Sequence, residues 1–106
     1  MAITIKTLAD GQLAAAKATI YTCPALTTAI VRLITYVNTG ADVTVNLYVK
    51  PSGGTSRRIS PKDMSLLAGY LMEEDQIITL EAGDVLEGDA SAATRVDYTV
   101  GGIERT

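Results

Sequence analysis

Apolar and polar residues alternate in several short segments of this chain. The clearest case is residues 42–50, where every odd-numbered position from Val43 to Val49 is apolar and the positions between them are Thr, Asn and Tyr. Alternation with a period of two predicts a β-strand that buries one face. Residues 94–100 show the same pattern. Residues 28–38 are largely apolar at both parities, which predicts a central strand.

Turn-forming residues separate the predicted strands. Asn38-Thr39-Gly40 stands between the two strongest strands and predicts that they form a β-hairpin. Further strands are expected near residues 17–22, 57–60, 70–73, 76–80 and 85–90, with turns at 61–63 and 81–84. The short spacing of these strands and the lack of sustained helical periodicity indicate an antiparallel fold. The predicted structure is one all-β domain over residues 1–106, a jelly-roll-like antiparallel β-sandwich of about eight short strands.

The N-terminal segment also alternates, with Ile3 and Ile5 opposite polar residues. This pattern predicts a short strand that buries its isoleucines. Residues 9–11, Ala-Asp-Gly, predict a turn that separates the strand from the rest of the chain. We therefore expect residues 1–10 to form an arm that is exchanged with a neighbouring chain, with Ile3 and Ile5 as assembly contacts.

Composition and charge narrow the range of partners. The chain has 106 residues, enough for one core, and a net charge of −3. Its nine Lys and Arg residues are scattered, and only Arg57 and Arg58 are adjacent. Nucleic-acid binding needs a basic face and a membrane span needs about 20 apolar residues, so we expect neither partner. Arg57 and Arg58 are either an ordinary charged strand edge or contacts for an acidic partner.

Side chains that usually carry chemistry are scarce. The absence of His and the single Cys exclude Ser-His-Asp triads, His- or Cys-rich metal sites and an intrachain disulfide. Without a His to activate its thiol, Cys23 is expected to be a small buried apolar residue. Acidic residues gather at 73–75 and 81–89, where their spacing fits no calcium loop and favours a soluble surface. We expect no enzyme activity, cofactor or metal, which leaves binding or assembly.

Several short sequence segments resemble those of small structural proteins of tailed bacteriophages. They are YTCPA at residues 21–25, TAIV at 28–31, VNTG at 37–40, VTVNLYV at 43–49, LEAGD at 80–84 and SAA at 91–93. Their order extends the resemblance from about Leu13 to Gly102. Cys23 departs from the pattern, because an apolar β-branched residue is more usual there. That change is conservative for packing.

The resemblance implies a virion component with no catalytic residues, most directly a capsid decoration (cement) protein, a late protein that binds and stabilises the head lattice. Its implied partners are copies of itself, with a trimer favoured, and phage capsid or tail proteins. It would be made in the cytoplasm of the host bacterium, as the lack of a secretory signal pattern also suggests. Two alternatives stay open: a neck or tail accessory protein, and a host-surface carbohydrate-binding module that uses exposed tyrosines such as Tyr48 and Tyr70.

Overall fold

The computed structural model describes residues 2–106, so Met1 of the predicted arm lies outside the described residues. That part of the chain forms ten β-strands and no helix, which confirms the all-β prediction. The strands are β1 (Ile3–Gln12), β2 (Ala18–Thr22), β3 (Thr28–Asn38), β4 (Val43–Lys50), β5 (Arg57–Arg58), β6 (Met64–Leu66), β7 (Leu71–Glu74), β8 (Ile78–Leu80), β9 (Val85–Ala90) and β10 (Val96–Arg105).

The strands form two antiparallel sheets that pack as a sandwich. The first sheet has the order β1–β10–β3, with β7 and β8 following one another along the far side of β3. The second has the order β2–β9–β4, with β5 and β6 along β4. Two positions in the sheets are each filled by a pair of short strands, β5 with β6 and β7 with β8. Counted in this way there are eight strands, and the first pairs with the eighth, the second with the seventh, the third with the sixth and the fourth with the fifth. This nested pairing is a jelly roll, so the predicted fold class is confirmed.

The predicted hairpin between residues 28–38 and 42–50 is wrong, because its two strands lie in different sheets. Asn38 is fully buried at the corner where the chain crosses from one sheet to the other. Its side-chain amide donates to the carbonyl oxygens of Ala41 and Leu66 at 2.9 and 3.0 Å, and its Oδ1 accepts from the Gly40 N–H at 2.9 Å. The Asn-Thr-Gly sequence therefore forms a corner between layers instead of a tight hairpin turn.

The N-terminal strand is longer than predicted. Residues 9–11 continue β1 instead of forming the predicted turn, and a β-bulge between Thr7 and Ala9 absorbs the irregularity. Within the described chain, β1 pairs with β10 along its length. The exchange of residues 1–10 with a neighbouring chain stays a prediction.

A second bulge lies where β3 passes β10. Arg32 is the extra residue in β3, opposite Gly101 and Gly102. The core-facing positions of β3 are therefore odd-numbered before the bulge and even-numbered after it. Gly102 is required here, because a Cβ on this residue would collide with the carbonyl oxygen of Ile30.

The core lies between the two sheets and is filled from both. As predicted, β3 is a central strand, and the alternating residues of β4 and β10 point inward. The largest fully buried apolar side chains are Leu13, Val31, Ile34, Tyr36, Val45, Leu47, Leu80, Leu86, Val96 and Val100. A single well-packed core leaves the two outer faces of the sandwich and the sheet edges as the surfaces available for partners.

Candidate assembly surfaces

The four residues expected to make assembly contacts lie at two separate edges. Ile3 and Ile5 are on β1, at one edge of the first sheet, beside β2 of the second. Arg57 and Arg58 form β5, at the far edge of the second sheet. The structure thus does not bring the two pairs together. The expected burial of the isoleucines is also wrong, since Ile3 is 64% and Ile5 is 84% exposed.

Ile3 and Ile5 belong to a continuous apolar surface on the outer face of the first sheet. Ile5 is paired with Ile103 on β10, which is in turn paired with Ile30 on β3. We call Ile3, Ile5, Ile30 and Ile103 the β1 patch. In the neighbouring row, Ile3, Arg105 and Thr28 are paired across the same strands. Three residues of the patch and two of this row line a groove of about 320 Å³: Ile3, Ile30, Ile103, Thr28 and Arg105.

A second group of exposed apolar side chains lies at the opposite edge of the first sheet. We call Tyr70, Leu71 and Ile77 the β7 patch; all three are more than half exposed. Residues 73–75, Glu-Glu-Asp, lie between Leu71 and Ile77. Sequence reasoning named Tyr70 only as an exposed tyrosine for carbohydrate binding and did not identify the patch. A signal was present, because Tyr70-Leu71 and Ile77-Ile78 are adjacent apolar pairs, and adjacent residues of a strand face opposite sides.

The outer face of the second sheet is polar, and its side chains bond to each other. Asn46 is only 6% exposed although it points away from the core. Its amide nitrogen donates to Asp89 Oδ1 at 2.9 Å and to Asp63 Oδ1 at 3.1 Å. Its Oδ1 accepts from the Asp63 backbone N–H at 2.8 Å and from Arg58 Nη1. All the hydrogen-bonding capacity of this side chain is used within the chain.

Tyr48 lies in the same polar face and is covered rather than exposed. It is 8% exposed, and its hydroxyl donates to Asp89 Oδ2 at 2.9 Å. The ammonium of Lys17 and the guanidinium of Arg58 lie 4.2 and 5.0 Å from the centre of its ring. Burial, followed by the hydrogen bond to Asp89, raises the pKa of Tyr48. Its ring is therefore occupied by the chain's own cations and is not open for stacking on a sugar.

The remaining tyrosines follow the ordinary strand pattern. Tyr21 and Tyr36 are buried and Tyr98 is half-buried, whereas Tyr70 is exposed. The Tyr36 hydroxyl has no hydrogen-bond partner among the described residues. One exposed tyrosine without a second beside it does not make the stacking surface that carbohydrate binding was expected to use.

A polar bridge joins the two sheets beside the β1 patch. The Tyr21 hydroxyl on β2 donates to Glu104 Oε2 on β10 at 2.5 Å. Lys6 Nζ on β1 donates to Glu104 Oε1 at 3.2 Å. The hydrogen bond from Tyr21 and the contact with Lys6 hold the pKa of Glu104 below its usual value. Burial and the neighbouring Glu104 raise the pKa of Tyr21. The bridge connects the two sheets at the side of the sandwich where β1 and β2 are the edge strands.

Cys23 is a core residue, as the sequence predicted. It is 2% exposed, and its Sγ lies 3.3 Å from the Thr27 carbonyl oxygen and 3.5 Å from that of Leu80. Burial raises the pKa of the thiol, which favours its protonated form. Within residues 2–106, no three His, Cys, Asp or Glu side chains are close enough to hold a metal ion. No helix in that range has the length and apolar character to cross a membrane.

Comparison with known proteins shows which solved structures share this fold. No family model and no curated protein matches the sequence. Among solved structures, a chain from the Bacillus endospore appendages, which form disulfide-linked pili, is 20% identical with a TM-score of 0.60; the match covers 98% of this chain and 88% of that one.

Two capsid structures of infectious bursal disease virus also match. The T13 viral particle gives 10% identity and a TM-score of 0.57, over 96% of this chain and 30% of that one. The VP2 subviral particle gives 14% identity and a TM-score of 0.52, over 97% and 32%. This chain spans about a third of the length of these capsid chains. Its jelly roll is therefore a fold that occurs both in a viral shell and in a pilus.

Proposed function

We propose that this chain is a non-enzymatic structural protein of a bacteriophage particle, a capsid decoration protein that binds the head lattice as a homo-oligomer. The observation that carries the proposal is the exposed β1 patch on the first sheet, in contrast to the outer face of the second sheet, where Asn46 and Tyr48 are engaged by the chain itself. The fold shared with viral capsid chains and the resemblance to phage structural proteins both support it.

The β1 patch has the properties of a protein-binding surface. Ile3 and Ile5 are exposed, and Ile30 and Ile103 extend the apolar surface inward across two more strands. A small soluble protein rarely exposes a continuous apolar surface without a partner for it. The adjoining edge of β1 also leaves backbone groups that a neighbouring strand could pair with.

Exchange of the N-terminal arm remains part of the proposal. A β1 strand shared between copies would keep the β1–β10 register seen within one chain, including its bulge at Thr7. We expect deletion of residues 1–10 to change the oligomer mass measured by light scattering. An unchanged mass would rule out the exchange.

Purified virions test the proposed function directly. Quantitative mass spectrometry should find many copies per particle, and cryo-electron microscopy should place them on the outer capsid surface. A few copies at the neck or tail would overturn decoration in favour of the alternative accessory role. Absence from the particle would overturn both. The Ile5→Asp variant should be incorporated less than wild type, and Ser65→Asp, an exposed change on the second sheet, should be incorporated normally.

A further inference from the structure

The outer edge of β1 carries free backbone groups, because β10 is the one strand among residues 2–106 that pairs with β1. The Ala2 carbonyl oxygen accepts from the Thr106 N–H at 2.9 Å, so the backbone groups of Ala2 point towards β10. This direction alternates along a strand. The N–H and C=O groups of Ile3, Ile5 and Thr7 therefore point away from β10, where a further strand can pair with them.

A second copy of β1 fits this edge in an antiparallel arrangement with two-fold symmetry. In such a contact the same surface of both copies meets, and a residue beside the axis meets itself. If Ile5 lies beside the axis, Ile3 of each copy is opposite Thr7 of the other. Residues with free backbone groups then meet each other, and each of these pairs exchanges two backbone hydrogen bonds.

This register joins the two β1 patches into one apolar surface. Within one chain, Ile5, Ile103 and Ile30 occupy one row across β1, β10 and β3. Because Ile5 meets Ile5 of the second copy, the row continues through the same three residues of that copy. Ile5 is 84% exposed, whereas Ile103 and Ile30 are half-buried. The contact thus covers the most exposed side chain of the patch.

The charges on the other face of the sheet are complementary in the same register. Thr4 is paired with Glu104 on β10, and Lys6 of the second copy would lie on the other side of Thr4. This Lys6 and Glu104 share a row, with their Cα atoms about 10 Å apart, two strand spacings. That distance is within the combined reach of the two side chains. Glu104 accepts from Tyr21 and from its own Lys6, and a carboxylate has capacity for a further donor.

Other registers of the same contact lack this match. The permitted registers differ by two residues, because residues with free backbone groups must meet. A shift that places Ile5 opposite Thr7 puts the two Lys6 residues opposite each other, and like charges in that position destabilise a sheet. The next shift places Ile5 opposite Asp10, because the bulge adds one residue after Thr7. The reverse shift, with Ile3 opposite Ile5, shortens the paired segment.

The other edges of the molecule match the β1 edge less well. Asp10 and Glu73 lie in one row across the first sheet, through Thr99 and Thr35. An unstaggered second copy at the far edge of this sheet would therefore place the two carboxylates opposite each other. The edge strands β2 and β5 of the second sheet have five and two residues, against ten in β1. The β1 edge is thus the best counterpart of itself.

We propose that two copies of this chain pair through their β1 strands about a two-fold axis beside Ile5, with Lys6 of each copy bound to Glu104 of the other. The two first sheets then form one continuous antiparallel sheet. The contact makes a dimer, in place of the trimer that the resemblance favoured. It specifies the self-contact of the proposed structural protein and rests on that function for its biological setting.

Single cysteine substitutions test the position of the axis. Residue 5 meets itself, so mild oxidation should convert Ile5→Cys into a covalent dimer. Ile3→Cys and Thr7→Cys should each stay unlinked alone and should form a linked heterodimer when mixed, because these two positions face each other. Wild type is the control for Cys23, which is 2% exposed. Ile77→Cys is the control for an exposed thiol at the far edge of the sheet.

Charge substitutions test the two faces of the contact. Ile5→Asp places two carboxylates beside the axis and should be monomeric in sedimentation at concentrations where wild type dimerises. Ile77→Asp is the matched control and should dimerise as wild type. Lys6→Ala should weaken dimerisation about fivefold, and Lys62→Ala should leave it unchanged. All four residues are exposed, so each variant should retain the circular dichroism and thermal melting of a folded chain.

Several results would overturn the contact. They are a wild-type chain that is monomeric at all concentrations, a trimer, a dimer that survives Ile5→Asp, and an Ile5→Cys variant that is linked no faster than Ile77→Cys. Faster linking of Ile5→Cys with Thr7→Cys than of Ile5→Cys with itself would contradict the register. A wrong contact is distinguishable from a wrong function. A monomer present in many copies on virions would overturn the contact alone, and a dimer absent from virions would overturn the function alone.

Discussion

On the outer face of the second sheet, Asn46 and Tyr48 point away from the core yet are almost fully covered. Their partners come from the chain itself: Asp63 and Arg58 lie beyond the edge of β4, and Asp89 is on its neighbour β9. On the outer face of the first sheet, Ile3 and Ile5 have no such cover. One face of this sandwich is completed by its own loops and short strands, and the other is left open.

The two sheets also differ in their edges. The second sheet ends in β5 and β6, which have two and three residues. Short, charged edge strands discourage pairing with another chain. The first sheet ends in β1, which has ten residues and an exposed apolar side. The opposite edges do not show this difference, since β2 of the second sheet has five residues and β7 and β8 of the first have four and three. The contrast therefore concerns β1 and the outer faces, and it indicates that the β1 side of the first sheet is the surface for a partner.

The largest expected effect is on the bulge that supports the β1 patch. Gly102→Ala should lower the free energy of unfolding by about 3 kcal/mol, because the new Cβ would meet the Ile30 carbonyl oxygen and Leu8. Gly101→Ala is the matched control, since nothing lies within 4 Å of a Cβ there. Urea denaturation measures both. Equal losses for the two variants would contradict the bulge geometry.

The next largest effect on stability is expected from the Asn46 amide on the outer face of the second sheet. Asn46→Ala should lower the free energy of unfolding by about 2 kcal/mol, because it removes the hydrogen bonds that this buried amide makes with Asp63 and Asp89. Self-association should not change. Thr44→Ala, on the same strand and face, is the control and should cost less, since no hydrogen bond of its side chain is lost. If Asn46→Ala abolished assembly in a folded chain, the second sheet would not be a closed surface.

The bridge between the sheets should make stability depend on acidity. The pKa of Glu104 is lowered in the folded chain, so its contribution is present above the ordinary value of 4.5 and is lost as the pH falls toward the lowered pKa. Tyr21→Phe removes the main cause of that shift and should cost about 1 kcal/mol at neutral pH. When the pH is lowered below 4.5, the free energy of unfolding of the variant should fall less than that of wild type. An unchanged acid dependence of the melting temperature would show that Glu104 is not held by Tyr21.

The smallest effect on folding is expected at the open face. Ile5→Ala removes an exposed side chain and should leave the free energy of unfolding within about 0.5 kcal/mol of wild type. It should still weaken self-association, which concentration-dependent sedimentation measures. A large loss of stability with unchanged association would mean that Ile5 stabilises its own chain.

Local patterns predicted most strands, but not how they pair. The alternation in residues 42–50 and 94–100 correctly gave the inward faces of β4 and β10. Asn38-Thr39-Gly40 suits a hairpin equally well as a corner, and only the buried contact of Asn38 with Leu66 distinguishes them. That contact joins residues far apart in sequence, so no local pattern contains it.

The candidate surface was predicted in part for the same reason. Ile3 and Ile5 were identified, but alternation does not say which face of a strand meets the core, and here it is the face of Lys6 and Leu8 that points inward. Arg58 lies on an edge strand, as one of its two interpretations had it, but its engagement with Asn46 and Tyr48 depends on the pairing of β5 with β4, which places Arg58 opposite Tyr48.

Hydrogen–deuterium exchange, compared between dilute and assembled protein, tests the difference between the two sheets most directly. Assembly should slow amide exchange in β1 (Ile3–Gln12), the long edge strand of the first sheet. Exchange in β2 (Ala18–Thr22) and β5 (Arg57–Arg58), the edges of the second sheet, should not change. Protection of β2 and β5 on assembly, with β1 unaffected, would contradict an open first sheet and a closed second one.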